Sequence, residues 1–172
     1  MTVRDAVVNR RSIRNYTGKQ LSDQQIETLL EAGFYAPTAR NMRPLHFIVI
    51  REREALEAIA KEQTNAKYVL EAGCGILVCG DRTLDVDGYL VEDGSAAIQN
   101  MLLTAYEMGL GALWCGVYPR EVRIEHFRKL CRLPEHILPI GLVVAGHTEQ
   151  APERPERVDQ SRIHFEIWET EK

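Results

Sequence analysis

The 172-residue sequence lacks the long apolar runs and signal segments that mark membrane or exported proteins. No apolar stretch approaches the ~20 residues that span a bilayer. The N-terminal residues contain no apolar signal core, so we expect a cytoplasmic protein that does not contact a membrane. The net charge is -4, which argues against nucleic-acid binding driven by bulk charge.

Cysteine and histidine are sparse and follow no metal-binding pattern. The spacings of Cys74, Cys79, Cys115 and Cys131 fit neither a zinc nor an iron–sulfur site, and the five histidines are scattered. We therefore expect no bound metal. Thiols of cytoplasmic proteins stay reduced, and Cys74 and Cys79 lie in an apolar stretch, so we expect these two to be small core residues.

Signatures of hydrolases and of nucleotide-binding domains are also missing. The chain has no G-x-S-x-G elbow, no Walker loop and no G-x-G-x-x-G between a strand and a helix. Gly109-Leu110-Gly111 follows a predicted helix, the wrong context for a dinucleotide-binding turn. Nothing local supplies a base that would activate Cys115 as a nucleophile. The sequence thus identifies no catalytic side chain and excludes a nicotinamide held in a Rossmann domain.

Apolar periodicity instead predicts alternating helices and strands, which indicates an α/β or α+β fold around a central sheet. Ser22 is a candidate N-cap with Gln25 as its capping-box partner, and Leu21 and Ile26 fit the hydrophobic staple around it. The helix that begins at this cap is predicted to end at Pro37, and its apolar stripe is Ile26, Leu29, Leu30 and Phe34. The other predicted helices are residues 2–9, 52–61, 92–108 and 120–130. Buried strands are predicted at Leu45–Ile50, Gly75–Cys79 and Pro139–Ala145.

The chain changes character after Gly146. Residues 147–160 carry prolines and many charges, so we expect an extended surface arm, with 147–172 as the C-terminal part of a single domain covering 1–172. Ile163, Phe165 and Ile167 then alternate with other residues, the period of a half-buried strand. Such a strand would dock either on the chain's own sheet or on a partner subunit.

A cluster of arginines near the N-terminus is the first segment that points to a ligand. Arg10-Arg11-Ser12-Ile13-Arg14 carries several guanidinium groups and a hydroxyl, which suit a phosphate because Arg forks bind phosphate oxygens in bidentate fashion. A solvated basic helix end is the alternative.

Two further segments have the character of ligand-binding loops. The stretch from Ala36 to Pro44 is bracketed by prolines, which restrict its backbone and would present Thr38, Asn41 and main-chain amides as donors. The alternative is that this stretch is an ordinary helix-to-strand connection without a ligand. Glycines in Gly111-Ala112-Leu113-Trp114-Cys115-Gly116 allow close approach to a flat ligand, and Trp114 either covers an aromatic ring or belongs to the core.

Together and in this order, these segments resemble the nitroreductase (FMN-dependent oxidoreductase) family. The resemblance covers essentially the whole chain. It is carried by Arg10 to Tyr16, Ala36 to Asn41, Pro44 to Val49, Asp93 to Leu103, Gly109 to Gly111, Trp114 to Gly116, Gly141 to Gly146 and the arm near Arg157. It implies a nitroreductase-like α+β fold of three layers, with a central, mostly antiparallel sheet flanked by helices. It also implies a homodimer in which the C-terminal strand is exchanged.

The resemblance also implies which residues bind FMN. Arg10, Arg11, Ser12 and Arg14 look like the segment that holds the phosphate and the pyrimidine side of the ring. Pro37, Thr38, Ala39 and Asn41 look like the loop that reaches the flavin of the other subunit. Asn65 resembles the family's contact to the pyrimidine, and Trp114, Cys115 and Gly116 the stretch beside the ring near N5. Arg157 resembles the C-terminal phosphate ligand, although Glu156 replaces the lysine often found beside it.

The activity implied is NAD(P)H-dependent reduction of nitroaromatics, quinones or related acceptors, by ping-pong hydride transfer through flavin N5. Three alternatives stay open. The first is a specialised relative that carries out reductive dehalogenation or flavin breakdown, for which residues 81–92 are the candidate lid. The second is a non-enzymatic flavin-binding module. The third is a flavin-free α/β domain whose arginine cluster forms an interface.

Overall fold

The structure, a computed structural model, describes residues 1–168. The strands of this part of the chain form a single sheet in the order β1-β2-β4-β3, in which every pair is antiparallel. The strands are β1 (Leu45–Ile50), β2 (Gly75–Asp81), β3 (Leu110–Gly116) and β4 (Ile137–His147). The antiparallel α+β architecture implied by the family resemblance is therefore confirmed.

The helices follow the predicted order. They are α1 (Val3–Asn9), α2 (Asp23–Phe34), α3 (Arg53–Glu62), α4 (Val69–Ala72), α5 (Leu90–Glu107) and α6 (Glu121–Leu130). Five of them match predicted helices within a few residues, while the single-turn α4 has too few residues to show a helical period. Short 3-10 turns occur at Ala39–Asn41, Thr64–Ala66, Arg82–Leu84 and Gln160–Arg162.

The start of α2 forms as its sequence predicts. The Ser22 hydroxyl accepts from the Gln25 N–H, and the Gln25 side chain accepts from the Ser22 N–H, which completes the capping box. Leu21 and Ile26 are both buried, as the hydrophobic staple requires. Phe34, predicted to face inward, is instead 67% exposed and contacts the Phe47 ring edge-on, with 4.7 Å between centroids.

The sheet is buried on both faces, and a separate apolar cluster covers each face. Side chains of α2 and α5, including Leu29, Ile98 and Met101, pack on one face. Residues from α3, α4 and α6 pack on the other, among them Ile59 and Phe127. Burial on both faces explains why the central strands are continuous apolar runs rather than alternating ones. The fold thus has three layers.

Pro139 lies inside β4, a central strand, although proline cannot donate a ladder hydrogen bond. It faces Cys79 where the register between β2 and β4 shifts, next to Val78. Such irregularities are where sheets tolerate proline. The observed strand β4 is two residues longer at each end than the predicted strand, Pro139–Ala145.

Strand β3 was not predicted as a strand. Its sequence, Leu110–Gly116, contains glycines at both ends and was interpreted only as a ligand-binding segment. In the structure it pairs with β4 along its whole length, from Leu110 opposite His147 to Gly116 opposite Gly141. Pairing with a neighbour fixes it as a strand despite its weak intrinsic preference.

The C-terminal arm leaves the sheet after His147. Residues 149–159 form neither helix nor strand and are exposed. The strand predicted at Ile163, Phe165 and Ile167 is not formed within the chain, where Phe165 is 76% exposed. The alternating pattern lacks a pairing partner within residues 1–168. Exchange of this strand in a dimer remains a prediction, and residues 169–172 of the arm lie outside the described residues.

Across residues 1–168, no helix combines the length and the apolar character needed to cross a membrane. In the same part of the chain, no group of three or more His, Cys, Asp and Glu side chains is arranged to hold a metal ion.

Candidate functional site

The arginine segment runs directly beside β3. The Ile13 N–H donates to the Ala112 carbonyl at 3.0 Å, and Ser12 forms an isolated parallel bridge with Ala112. Ile13 is buried, so it anchors the extended segment on the sheet. Since side chains alternate along an extended backbone, Ser12 and Arg14 on either side of Ile13 are exposed.

Arg10 carries an unsatisfied guanidinium. Its Nε is buried and has no hydrogen-bond partner. Burial lowers the pKa of Arg10, and the positive charges of Arg11 and Arg157 lower it further. These three arginines therefore lie close together, and the ion pairs of residues 1–168 involve none of them. A buried donor among like charges is stabilised by an anion.

Arg11 is placed differently from its neighbour. Its Nε donates to the Glu153 carbonyl at 3.2 Å, its Nη1 to the Arg10 carbonyl at 2.5 Å and its Nη2 to the Val8 carbonyl at 2.9 Å. All three guanidinium nitrogens are thus engaged with the main chain. The sequence predicted a ligand to phosphate here, whereas the structure shows a contact between the end of α1 and the arm.

The end of β3 brings together Asn65, Cys115 and Gly116. The Cys115 thiol donates to the Asn65 carbonyl at 3.2 Å, and the Asn65 Oδ1 is buried without a partner. Arg123, from α6, donates to the Gly116 carbonyl at 2.6 Å. The sequence gave no sign of this contact, because Arg123 lies on an ordinary charged helix. An unpartnered amide oxygen beside β3 is suited to accept from a ligand N–H.

Cys115 is not a reactive thiol. Burial raises its pKa to about 11, although the positive charges of Arg123 and Arg14 oppose that rise. A thiolate nucleophile needs the opposite shift. The backbone of Arg14 follows Ile13, which pairs with Ala112, three residues before Cys115. The arginine segment thus runs beside the middle of β3, whereas Asn65 contacts Cys115 near its end.

Trp114 and Cys115 project to opposite faces of the sheet. Cys115 belongs to the cluster under α3, α4 and α6. Trp114 lies over Gly141 on the α5 side, where a Cβ on Gly141 would come within 2.6 Å of the indole Nε1. Their side chains therefore cannot cover the same face of one ring. Trp114 is 38% exposed and lines a pocket with Ser95, Gly116 and Tyr118.

The loop from Pro37 to Asn41 is held against the start of α5. The Ala39 N–H donates to the Asp93 carboxylate at 2.9 Å, and Asp93 is 8% exposed. The Arg40 guanidinium pairs with Asp87 at 2.6 Å. Within residues 1–168, no hydrogen bond of this loop reaches the arginine segment or β3. The structure thus places the loop with segment 81–93, apart from the other predicted residues.

The internal hydrogen bonds of the loop leave donors facing outward. The Thr38 hydroxyl oxygen accepts from the Arg43 N–H at 3.0 Å, so its own proton remains available. The Asn41 Oδ1 accepts from the Arg43 Nε at 3.1 Å, which leaves the Asn41 amide group to donate. Arg40, Asn41 and Arg43 all adopt positive φ values, an unusual backbone for non-glycine residues that is typical of functional loops.

Comparison with known proteins identifies the family of this chain. The model of the nitroreductase family matches residues 7–78 and 81–147. A protein of Methanothermobacter thermautotrophicus, provisionally named NADH dehydrogenase/NAD(P)H nitroreductase, is 41% identical over 98% of this chain and 88% of its own length.

Solved structures give the same result. A Parabacteroides distasonis protein with the same provisional name shares 37% identity, with a TM-score of 0.93 over 96% of this chain and 98% of that one. A nitroreductase-like protein of Desulfovibrio desulfuricans, solved in complex with FMN, shares 31% identity, with a TM-score of 0.83 over 96% of this chain and 97% of that one. The chain belongs to the nitroreductase family.

Proposed function

We propose that this protein is an FMN-dependent NAD(P)H oxidoreductase that reduces nitroaromatics, quinones or related acceptors. The observation that supports this most directly is the buried, unpartnered Nε of Arg10, which lies close to Arg11 and Arg157. An FMN phosphate carries a charge of about -1.5 to -2 at neutral pH, by analogy with other phosphomonoesters. It would offset the mutual repulsion of these guanidinium groups.

The residues present suit the rest of the cofactor. We assign the phosphate to Arg10, Ser12 and Arg157, with Arg14 nearer the pyrimidine because it follows Ile13, which pairs with β3 at Ala112. The buried Oδ1 of Asn65 would accept from a ring N–H of the pyrimidine. The backbone of Cys115 and Gly116 would lie along the ring, since their side chains alternate away from it or are absent.

When bound, FMN would supply two-electron chemistry between NAD(P)H and the acceptor, for which we expect a ping-pong sequence through N5. The chain's own part is to bind, orient and exclude water. Arg14 would stabilise negative charge on the pyrimidine side of the reduced cofactor. Trp114, partly exposed beside Tyr118, would form an aromatic wall of the pocket where donor and acceptor bind in turn.

We further propose that the site is completed in a homodimer. The loop of Pro37, Thr38, Ala39 and Asn41 presents outward donors but lies apart from the arginine segment. The partner's flavin is the group that these donors would reach. A partner's flavin would also explain why, within residues 1–168, this donor-bearing loop forms no hydrogen bond to the arginine segment or to β3.

Exchange of the C-terminal segment would hold the two subunits together. Among the strands of residues 1–168, β1 pairs only with β2 and so has an open edge. A cavity of about 690 Å³ lies beside it, lined by Phe34, Phe47 and Leu133. The exposed, alternating Ile163, Phe165 and Ile167 of a second copy would pair with this edge and fill the cavity.

An absorbance spectrum of the purified protein, followed by anaerobic addition of NADH or NADPH, tests the proposal. We expect flavin absorption at roughly 450 nm that bleaches with at least one nucleotide. A flavin that stays oxidised with both would indicate a binding module or a relative with specialised chemistry. Colourless protein that cannot be reconstituted with FMN would refute the proposed function.

A further inference from the structure

The side chain of Arg11 connects two parts of the chain that lie 142 residues apart. Its Nη1 and Nη2 donate to carbonyls at the end of α1, those of Arg10 and Val8. Carbonyls at a helix C-terminus lack intrahelical partners and favour a cation. Its Nε donates to the Glu153 carbonyl in the arm at 3.2 Å.

Few other hydrogen bonds hold the arm within residues 1–168. The Thr148 hydroxyl donates to the Asn15 carbonyl at 2.7 Å, and the Arg14 N–H donates to the Gln150 Oε1 at 3.4 Å. Within residues 1–168, the bond from Arg11 to Glu153 is the last hydrogen bond between the arm and the rest of the chain. Hydrogen bonds beyond it stay within the arm, around Asp159 and Phe165. Loss of the Arg11 contact would therefore remove the last hydrogen-bonded attachment of the arm after Gln150.

Arg157 follows only four residues after Glu153, and its charge lowers the pKa of Arg10. Two guanidinium groups repel each other, so nothing in their own interaction keeps Arg157 near Arg10. An external attachment is needed, and the Arg11 bond at Glu153 is the nearest one along the chain.

We propose that Arg11 is a positioning residue: it fastens the C-terminal arm to the end of α1 so that Arg157 reaches the phosphate site. It acts on the cofactor through Arg157 rather than by contacting the phosphate itself. A lysine could not replace it, because one ammonium group cannot reach carbonyls on both segments in this planar, three-way arrangement. The inference rests on the proposed FMN function.

Three variants, Arg11→Ala, Arg157→Ala and the double variant, separate this role from direct phosphate binding. Binding of FMN and of riboflavin to the apoprotein is measured for each, because riboflavin lacks the phosphate. We expect Arg11→Ala to weaken FMN binding about tenfold, the scale of one charge-assisted hydrogen bond, and to leave riboflavin binding unchanged. The double variant should bind FMN no more weakly than Arg157→Ala alone.

Losses that add in the double variant would mean that Arg11 contacts the phosphate directly, and would overturn the inference. An equal loss of riboflavin binding would also overturn it, since that indicates a general structural defect. Arg11→Lys keeps the charge, so we expect it to behave like Arg11→Ala. Wild-type FMN affinity in Arg11→Lys would contradict the fastening role.

A cofactor-free readout distinguishes failure of this inference from failure of the proposed function. Cleavage of the folded apoprotein after Glu153 and Glu156 by a glutamate-specific protease should be faster in Arg11→Ala than in wild type, while Arg157→Ala should match wild type. Equal cleavage of all three proteins would overturn the inference. A wild-type protein that binds no FMN would refute the proposed function, and the cleavage comparison would still test the attachment of the arm.

Discussion

The main-chain N–H of Ala39 donates a 2.9 Å hydrogen bond to the carboxylate of Asp93, 54 residues further along the chain. Gln63 and Asp93 are the buried polar side chains among the described residues. Asp93 lies in the first turn of α5, where the helix dipole stabilises negative charge. This bond joins the loop that carries Thr38 and Asn41 to the longest helix of the fold, and so fixes the direction in which the loop presents its donors.

Replacement of Asp93 by alanine should therefore loosen the loop. We expect Asp93→Ala to lower the free energy of unfolding by about 1–3 kcal/mol, because the Ala39 N–H loses a charged acceptor. FMN binding should weaken in the same variant. Asp93→Asn is the matched control, since its amide oxygen can still accept from Ala39. Urea unfolding and FMN titration check both variants, and equal behaviour of the two would contradict the role of this bond.

Arg14 should matter more to FMN than any residue of the arm from 150 to 156. We expect Arg14→Ala to lower FMN affinity by roughly tenfold, because it removes a guanidinium beside the ring end of the site. Arg154→Ala removes the same group from the arm and serves as the control. The flavin content of the purified proteins and titration of the apoproteins give the comparison. Undiminished flavin content in Arg14→Ala would show that Arg14 is not part of the FMN site.

A stable dimer is expected, because the apolar tail residues are exposed and the β1 edge is open in the single chain. Phe165→Asp should shift the protein toward monomer, since a charge would enter the apolar cavity beside β1. Val122→Asp changes an equally exposed apolar residue on α6 and should leave the assembly intact. Sedimentation velocity distinguishes these outcomes. A flavin-loaded wild-type monomer would refute the exchanged-tail arrangement.

The buried thiols predict a loss of stability at alkaline pH. Burial raises the pKa of Cys74 and of Cys115 from 9.0 to about 11, and that of Cys79 to about 12. The unfolded chain ionises first, so the stabilisation is complete below pH 9 and declines as the pH rises toward 11–12. Urea unfolding between pH 8 and pH 10.5 measures this decline. It should be less steep in Cys79→Ala, and an unchanged slope in that variant would contradict the assignment.

Local sequence determined most of the secondary structure. The capping box of Ser22 and Gln25 forms because both groups are close along the chain, and β1 and β2 form at apolar runs rich in β-branched residues, whose composition favours strands. The motif from Arg10 to Arg14 and the loop around Thr38 also identified the family, since their order along the chain is a property of sequence alone.

Only the tertiary structure decided which of these residues work together. Leu110–Gly116 becomes a strand through its pairing with β4, a contact that no local pattern encodes. Arg10 and Arg11 are adjacent and chemically identical, yet one keeps an unpartnered nitrogen and the other binds three carbonyls, one of them in a distant arm. The role of Asp93 likewise depends on a contact across 54 residues. Sequence specifies which groups are available, whereas burial and long-range hydrogen bonds determine which of them remain free to bind a ligand.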